Sequence, residues 1–293
     1  MAHGVDLRTS LGAAPIQRDV VRVQGDEALD YIQGQLSQDV EALPVGGSAP
    51  SLLLQPTGKV EAWLRATRLA DDELLLDVDA GSGAAVLARL GRFKLRTKAD
   101  LTLEQWSGLA LRGPGAEAIA VPGGALGLPA GWPGVPGVDV LSDGELALAG
   151  APLVGAAALE ALRIECGVPA MGAELTDATI PAEAGQWLID ASVSFTKGCY
   201  TGQELVARID SRGGRVPRPI QGLLIDGDGA PLGTSVHHAG AEVGTITSVA
   251  RSTVLGPIAL APVARSVEVG ATVELHHPDG TTGTARTAAL PMR

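Results

Sequence analysis

The chain has 293 residues, of which 22 are Lys or Arg and 33 are Asp or Glu, so its formal net charge at pH 7 is −11. Hydrophobic residues make up 45% of the chain and charged residues 19%, a balance that excludes a disordered protein. The two cysteines, Cys166 and Cys199, exclude a disulfide framework and a four-cysteine zinc site.

The distribution of charge and apolar residues predicts a cytoplasmic protein. The first 22 residues carry charges throughout and lack the apolar centre of a secretion signal. The longest uncharged stretch, residues 118–138, contains four prolines and six glycines, which a membrane helix does not tolerate. The acidic balance disfavours direct binding to nucleic acid. Basic clusters at residues 89–98 and 208–218 are either solvated faces or a site for a carboxylated or phosphorylated small ligand.

Helices and strands alternate in the first part of the chain. A helix is predicted over residues 26–36, with Asp26 as its N-cap, and a second helix starts at Ser82 and stops at Gly91. Hairpins between these helices indicate an α+β fold rather than a parallel sheet. Strands are predicted at residues 51–54, 59–68, 73–78 and 101–106, with a turn at 55–58.

The second half of the chain begins with a Gly/Pro-rich stretch, residues 112–137, which is predicted as a long loop or a decorated connection. An alanine-rich helix follows at residues 155–166, with Gly167 as its C-cap. After Pro219, short β-prone runs separated by turn residues predict a small all-β barrel as a separate C-terminal unit. These runs are residues 221–225, 242–249, 253–260, 272–276 and 281–288.

The densest run of candidate functional residues surrounds Cys199. Thr201 and Glu204, placed before an apolar run, have the spacing of a capping box and predict a helix starting at about Gly202. Cys199 then lies just outside a helix N-terminus, where free N–H groups and the helix dipole stabilise an anion. Gly198 and Gly202 are predicted to let the backbone turn tightly and approach a ligand.

Two interpretations of the Cys199 thiol are open. Lys197 adds a positive charge two residues away, and together with the helix N-terminus it would lower the thiol pKa below its usual value of about 8.5. Alternatively, Cys199 is a small buried hydrophobic residue, as free cysteines often are. Cys166 ends an apolar helix and is predicted to be structural.

Glu183 is a second candidate, because it is an acidic residue among small apolar neighbours just after Pro181. Its carboxylate either pairs with two N–H donors, such as an amide and an adjacent amino group on a heterocycle, or lies on the surface, where a helix dipole favours it.

The histidines form two adjacent pairs, at 237–238 and 276–277, whose members point to opposite faces of a strand. Exposed barrel residues are the favoured interpretation of both pairs, and no metal site is predicted.

Residues 197–204, KGCYTGQE, resemble the signature of the YgfZ family, folate-binding proteins of iron–sulfur cluster maintenance that are related to the glycine-cleavage T-protein, an aminomethyltransferase. Further blocks resemble the same family in the same order, from about residue 20 to residue 220. After residue 220 the chain resembles the family only in its β-rich character and not in its motifs. These blocks are residues 25–40, 56–60, 92–96, 163–169 and 181–185.

The resemblance implies a T-protein-like α+β fold in three parts around a central folate site. A first α+β lobe is expected in residues 1–110, a second lobe with the signature in 111–218, and a C-terminal β-barrel in 219–293. The implied cofactor is tetrahydrofolate or a one-carbon derivative. The implied partners are iron–sulfur client or assembly proteins, through which the protein would affect tRNA thiolation.

The resemblance also implies site residues. The catalytic pair would be Cys199 and Lys197, with the thiol next to the folate pocket and Glu183 in the same cavity. One cysteine cannot ligate a whole cluster, so a stable cluster held by this chain alone is not expected. The folate-binding residues would be Glu183, Tyr200, Gln203, Glu204 and Arg208.

One departure separates this chain from the aminomethyltransferases. Their first hairpin carries an acidic pair whose Asp serves methylene transfer, but here Ala62 and Trp63 fall at those positions. Glu61 is one residue away, and a shift of one residue on a strand points a side chain to the other face. An accessory role is therefore favoured over the alternative, a folate-dependent one-carbon transferase.

Overall fold

The computed structural model describes residues 5–293. Within that range the chain forms five α-helices and fourteen β-strands, with 3₁₀ turns at Ala116–Ala118 and Pro181–Ala184. The helices are α1 (Ala28–Gln35), α2 (Gly83–Phe93), α3 (Ala156–Cys166), α4 (Gln186–Ser192) and α5 (Gln203–Asp210). The strands are β1 (Gly12–Gln24), β2 (Ser48–Leu54), β3 (Val60–Ala70), β4 (Glu73–Asp79), β5 (Asp100–Arg112), β6 (Leu126–Pro129), β7 (Gly137–Ser142), β8 (Ile220–Ile225), β9 (Ser235–His238), β10 (Ala241–Thr245), β11 (Ser248–Ser252), β12 (Gly256–Pro262), β13 (Thr272–His276) and β14 (Thr282–Ala288).

The first seven strands form one antiparallel sheet in the order β2-β3-β4-β1-β5-β7-β6. Alternate residues of its strands point to one face, where α1 and α2 cover them. Ile32 of α1, Leu76 of β4 and Leu90 of α2 are fully buried in the core between these layers. Burying each such side chain contributes roughly 1.5–3 kcal/mol. The opposite face of this sheet is left for the cavity described below.

The last seven strands form a second antiparallel sheet in the order β10-β9-β13-β14-β8-β12-β11. A bridge between Gly244 and Val263 brings β10 back against the end of β12, so the sheet curls toward closure as a barrel. Leu223, Val236 and Leu275 fill its interior and are fully buried.

A third core joins the parts of the chain. Leu54 of β2, Ile164 of α3, Leu188 of α4 and Leu260 of β12 belong to one buried cluster, which places the segment between the sheets in contact with both. Since these residues are fully buried, this cluster packs the connecting helices against both sheets.

Glu174 connects the barrel to α3 through polar contacts. Its side chain is fully buried, and one carboxylate oxygen accepts hydrogen bonds from the Thr247 and Ser248 hydroxyls, each at 2.6 Å. The other oxygen lies 3.2 Å from Arg163 Nη1 and accepts the Ala170 N–H at 3.0 Å. Arg163 Nη2 also donates to Ser248 Oγ at 2.6 Å. A buried carboxylate is tolerated here because hydrogen bonds and an opposite charge satisfy it.

The α+β class and the T-protein-like architecture expected from the sequence are confirmed, and most predicted elements are present within two or three residues. Several details are wrong. The predicted run 242–249 covers two separate strands, β10 and β11, and β5 continues to Arg112 rather than ending at residue 106. Asp26 does not cap α1, which has Glu27 at its N-cap and no side-chain cap bond. Gly91 does not end α2, which continues to Phe93. The thirteen-residue strand β1 was not expected from the sequence.

The predicted loop over residues 112–137 contains structure of its own, because β6 pairs with β7 at the edge of the first sheet. That sheet therefore runs to Ser142. The division of the chain at residues 110 and 218 stays a prediction. Across residues 5–293, none of the helices has the length and apolar character needed to cross a bilayer.

Candidate functional site

A cavity of about 520 Å³ lies between the uncovered face of the first sheet and helices α3 and α4. Three of the four tryptophans line it: Trp63 of β3, Trp132 of the β6–β7 connection and Trp187 of α4. The Trp63 and Trp187 rings meet edge to face, with centroids 5.9 Å apart and planes at 85°. Trp63 Nε1 donates to Ser192 Oγ at 3.0 Å, which fixes the indole. The cavity thus offers flat apolar surfaces to a ring-shaped ligand.

Charged residues on β1, β3, β5 and β7 form the floor of the cavity. Arg65 is bidentate to Asp77, with contacts of 2.9 and 3.0 Å, and its third nitrogen donates to Asp139 at 3.1 Å. Arg112 Nη2 lies 2.9 Å from Asp139, and its guanidinium stacks 4.2 Å from the Trp132 ring centroid. Burial acts to raise the pKa of Asp139, but the nearby arginines outweigh it and lower the pKa to about 2.

The remaining charges of the cavity wall are also paired. Arg18 binds Asp77 at 2.9 Å and also contacts Asp79, and Arg163 binds Glu160 at 2.6 Å. Each of the four arginines that line the cavity therefore has a carboxylate partner. A ligand in this space meets a wall whose positive charges are already compensated, so shape and ring contacts dominate its recognition.

The signature loop, residues 194–201, lies against the C-terminus of α1. The Lys197 ammonium donates to the main-chain carbonyls of Gln33, Leu36 and Gln38 at 2.6, 2.8 and 2.8 Å. Burial lowers the pKa of Lys197 to about 8, while the charge of Asp39 acts in the opposite direction. The Lys197 side chain is therefore directed at the helix end and away from solvent.

Cys199 is exposed at the outer end of this loop, and the interpretation of it as a buried hydrophobic residue is wrong. Next to it, Tyr200 is buried, and burial raises the pKa of its phenol to about 12. Helix α5 begins at Gln203, close to the predicted start, with Gly202 at its N-cap. The predicted capping box is absent, because no side chain caps the helix, and Gln203 Oε1 instead accepts the Tyr200 N–H at 3.3 Å.

Gly202 approaches protein backbone rather than a ligand. Its φ is +83°, and a Cβ at this position would lie 2.5 Å from the Gln55 carbonyl oxygen and 2.8 Å from Leu54 Cβ. Gly58, on the facing turn between β2 and β3, would likewise clash with Leu205. A Cβ placed on Gly198 would have nothing within 4 Å, so no close approach explains that glycine. Because these two facing glycines have no side chain, the start of α5 can pack closely against the first hairpin.

Glu183 lies in the 3₁₀ turn Pro181–Ala184, and its carboxylate turns back to accept the Ile180 N–H at 3.0 Å. None of the seven predicted site residues lines the 520 Å³ cavity. The expectation that Glu183 and Cys199 share one cavity is therefore wrong for this cavity: the carboxylate caps its own turn and the thiol is on an exposed loop. Glu204 and Arg208 are exposed on α5. The individual roles of these residues stay predictions.

Most of the cavity wall was not predicted from the sequence. Trp132 and Trp187 carry no motif, and Arg18 lies on a strand that was not predicted. Trp63 was singled out only as a replacement for an acidic residue, and its side chain does line the cavity, whereas that of Glu61 does not. The scarcity of aromatic residues, 3% of the chain, is the one signal that would have drawn attention to the tryptophans.

The histidine pairs and Cys166 lie outside this region. His237 and His276 stack across β9 and β13 with ring centroids 3.9 Å apart, and each is partly exposed. Over the described part of the chain, no three His, Cys, Asp or Glu side chains are grouped as a metal site. Cys166 is fully buried, and burial raises the pKa of its thiol to about 11, in agreement with a structural role.

The sequence of this chain is similar to those of known proteins over most of its length. Residues 18–122 match the family described as the GCVT N-terminal domain. An aminomethyltransferase of Thermus thermophilus is 30% identical over 279 residues, which cover 84% of this chain and 77% of that enzyme. An uncharacterized protein of Haemophilus influenzae is 28% identical over 203 residues, covering 67% of this chain and 68% of that protein.

A solved structure has the same fold. The glycine cleavage system aminomethyltransferase T from Bartonella henselae superposes with a TM-score of 0.75 and 21% sequence identity, covering 98% of this chain and 87% of that one. The fold is thus shared over nearly the whole chain. Together with the identity to the Thermus enzyme, these matches show that the chain belongs to the aminomethyltransferase (GCVT) family.

Proposed function

We propose that this protein binds tetrahydrofolate, or a one-carbon derivative of it, in the tryptophan-lined cavity. The observation that carries the proposal is the cavity itself, about 520 Å³ with three indoles in its wall, in a chain of the aminomethyltransferase family. That volume is within the usual range of small-molecule sites, and indole faces suit a flat pteridine ring. Asp79 and Glu160, whose carboxylates are partly exposed at the wall, are acceptors for ring N–H groups.

Tryptophan fluorescence tests this proposal directly. Titration with tetrahydrofolate is expected to quench the emission saturably, because a bound pteridine would lie within contact distance of the indoles. Trp63→Phe is expected to reduce the amplitude of the quench. Trp106→Phe is the matched control, since Trp106 is buried in the first sheet and does not line the cavity. Emission that does not change with tetrahydrofolate contradicts the proposal.

Glu183→Gln tests the carboxylate that the family resemblance assigns to the pteridine. Because Glu183 does not line the tryptophan-lined cavity, this variant distinguishes two placements of the ring. A pteridine bound to Glu183 predicts tetrahydrofolate binding at least tenfold weaker in Glu183→Gln, as for loss of a charged hydrogen-bond partner worth roughly 1.5–3 kcal/mol, whereas a pteridine held between the indoles predicts unchanged affinity. Unchanged affinity would leave Glu183 as a residue that only caps its own turn. The same titration applied to Arg208→Ala tests a contact to the folate carboxylates.

We further propose a cytoplasmic, YgfZ-type role in the assembly or repair of iron–sulfur proteins, with Cys199 as the working thiol. The signature at residues 197–204 supports it, and so does the exposure of Cys199, because a partner protein can reach the thiol from solvent. One thiolate is one ligand of a cluster, so the partner supplies the others. A strain lacking the protein is expected to lose iron–sulfur enzyme activity, with rescue by the wild-type chain and not by Cys199→Ser. Rescue by Cys199→Ser contradicts this role.

A one-carbon transferase is the second candidate, and the aminomethyltransferase relatives favour it. Such a reaction needs a carboxylate free to act near the transferred carbon. Within the described residues, the carboxylates that line the cavity are Asp79, Asp139 and Glu160, and each is bound to an arginine. Incubation with methylene-tetrahydrofolate and an aminomethyl acceptor separates the two candidates, because sustained turnover supports the transferase and its absence supports the accessory role.

A further inference from the structure

Helix α1 ends without a glycine cap and without a basic residue in its last turn. Its C-cap, Leu36, has extended backbone rather than the left-handed glycine that commonly ends a helix. The last carbonyls of a helix lack partners within the helix and must be satisfied from outside. The Leu36 N–H satisfies the Ile32 carbonyl, so the carbonyls after Ile32 are the ones that need donors from elsewhere in the chain.

The signature loop supplies those partners. Thr201 N–H donates to the Gly34 carbonyl at 3.2 Å, and Ser194 N–H donates to the Ser37 carbonyl at 2.9 Å. Between these two contacts, the Lys197 ammonium donates at 2.6–2.8 Å to the Gln33 carbonyl of α1, to that of its C-cap Leu36, and to that of Gln38 just beyond the helix. An ammonium has three N–H donors on one atom, so its hydrogen-bonding capacity is fully used. A cation at a helix C-terminus is also favoured by the helix dipole.

These contacts fix both ends of the signature loop and leave a short exposed segment between them. Lys197 and Ser194 anchor the loop on one side, and Thr201, with the buried Tyr200, anchors it on the other. Gly198 and Cys199 lie between the anchors and are both exposed. We propose that Lys197 is a positioning residue: its ammonium binds the end of α1 and thereby fixes Cys199 at the surface. The proposal rests on the proposed function only in taking Cys199 as the working thiol.

This role differs from activation of the thiol by charge, and the difference is testable with two substitutions. Lys197→Met removes both the charge and the three donors, whereas Lys197→Arg keeps the charge on a planar guanidinium that cannot direct three donors from one nitrogen at the same carbonyls. Hydrogen exchange at the Ser194 and Thr201 amides measures opening of the loop. Lys197→Met is expected to accelerate both by roughly ten- to a hundredfold, the range for losing a charged hydrogen-bond partner.

A nitroxide label on Cys199 gives an independent spectroscopic readout. Its spectrum is expected to show restricted motion in the wild-type protein and fast motion in Lys197→Met, with less than half of the restriction recovered in Lys197→Arg. Lys98→Met is the matched control, because Lys98 is an exposed lysine whose side chain has no ion pair among the described residues. It is expected to change neither measurement.

Three outcomes would overturn the proposal. Exchange and label motion that do not change in Lys197→Met would show that other contacts fix the loop. Full recovery in Lys197→Arg would show that positive charge alone is sufficient. Equal acceleration at the barrel amide of Leu223 would show a global loss of stability. None of these measurements uses folate or a partner protein, so their failure is distinguishable from failure of the proposed function.

Discussion

Gly202→Ala is expected to destabilise the protein by about 2–5 kcal/mol. The left-handed backbone at φ +83° costs an L-residue about 1–2 kcal/mol. The new Cβ would also lie 2.5 Å from the Gln55 carbonyl oxygen and 2.8 Å from Leu54 Cβ. Leu54 is fully buried and Gln55 belongs to a hydrogen-bonded turn, so neither can move freely. Overpacking of this kind adds about 1–3 kcal/mol.

Gly213→Ala isolates the contribution of that contact. Gly213 has a similar φ of +77°, but nothing lies within 4 Å of a Cβ built there. Backbone strain alone predicts a loss of about 1–2 kcal/mol for this variant. The free energy of unfolding of both variants is measured by urea denaturation. Equal losses in the two would refute the claim that the first hairpin and the start of α5 are in close contact through Gly202.

Three further predictions concern two buried carboxylates and the two cysteines. Glu174→Ala is expected to cost about 1–3 kcal/mol of unfolding free energy in urea, because it leaves the buried Ser248 hydroxyl and the Ala170 N–H without their carboxylate acceptor while Arg163 keeps Glu160. A loss under about 1 kcal/mol would contradict this. The pKa of Asp139 is lowered from about 3.9 in the unfolded chain to about 2, so its carboxylate stabilises the fold above about pH 4 and loses that effect as the pH falls toward 2. The difference in unfolding free energy between wild type and Asp139→Asn, measured by thermal denaturation at a series of pH values, is therefore expected to decrease between pH 4 and pH 2. A difference that stays constant over this range would refute the prediction. Iodoacetamide at pH 8 is expected to give one adduct by mass spectrometry, at the exposed Cys199, because burial raises the pKa of Cys166 to about 11; two adducts on the native protein would contradict that.

Local pattern was sufficient for most elements and insufficient for the site. The strand β3 and the helix α3 follow from alternation and from a glycine C-cap, both of which are local signals. Strand β1 was missed because Pro15, Arg18 and Arg22 interrupt its apolar pattern, and the arginines are accommodated only by carboxylates on β4 and β5. The sequence pattern has no means of revealing those partners.

The candidate site shows the same limit. The motif around Cys199 was found from the sequence, but the role of Lys197 in binding α1 depends on residues about 160 positions away. Glu183 had both a local and a ligand-binding interpretation, and in the structure its carboxylate makes the local contact with Ile180. The cavity wall combines Trp63, Trp132 and Trp187, which only the tertiary fold brings together.

Arg163 contacts both the cavity and the junction between α3 and the barrel. It lies in the cavity wall, and it also binds Glu174 and Ser248, which belong to the junction with the barrel. Besides the apolar contacts of α3 with the barrel, Arg163 therefore gives the barrel junction a polar connection to the cavity wall. Because such coupling is reciprocal, a molecule that fills the cavity also changes the forces at the barrel junction. Substitutions at the barrel junction, although distant from the cavity, are therefore able to change its shape.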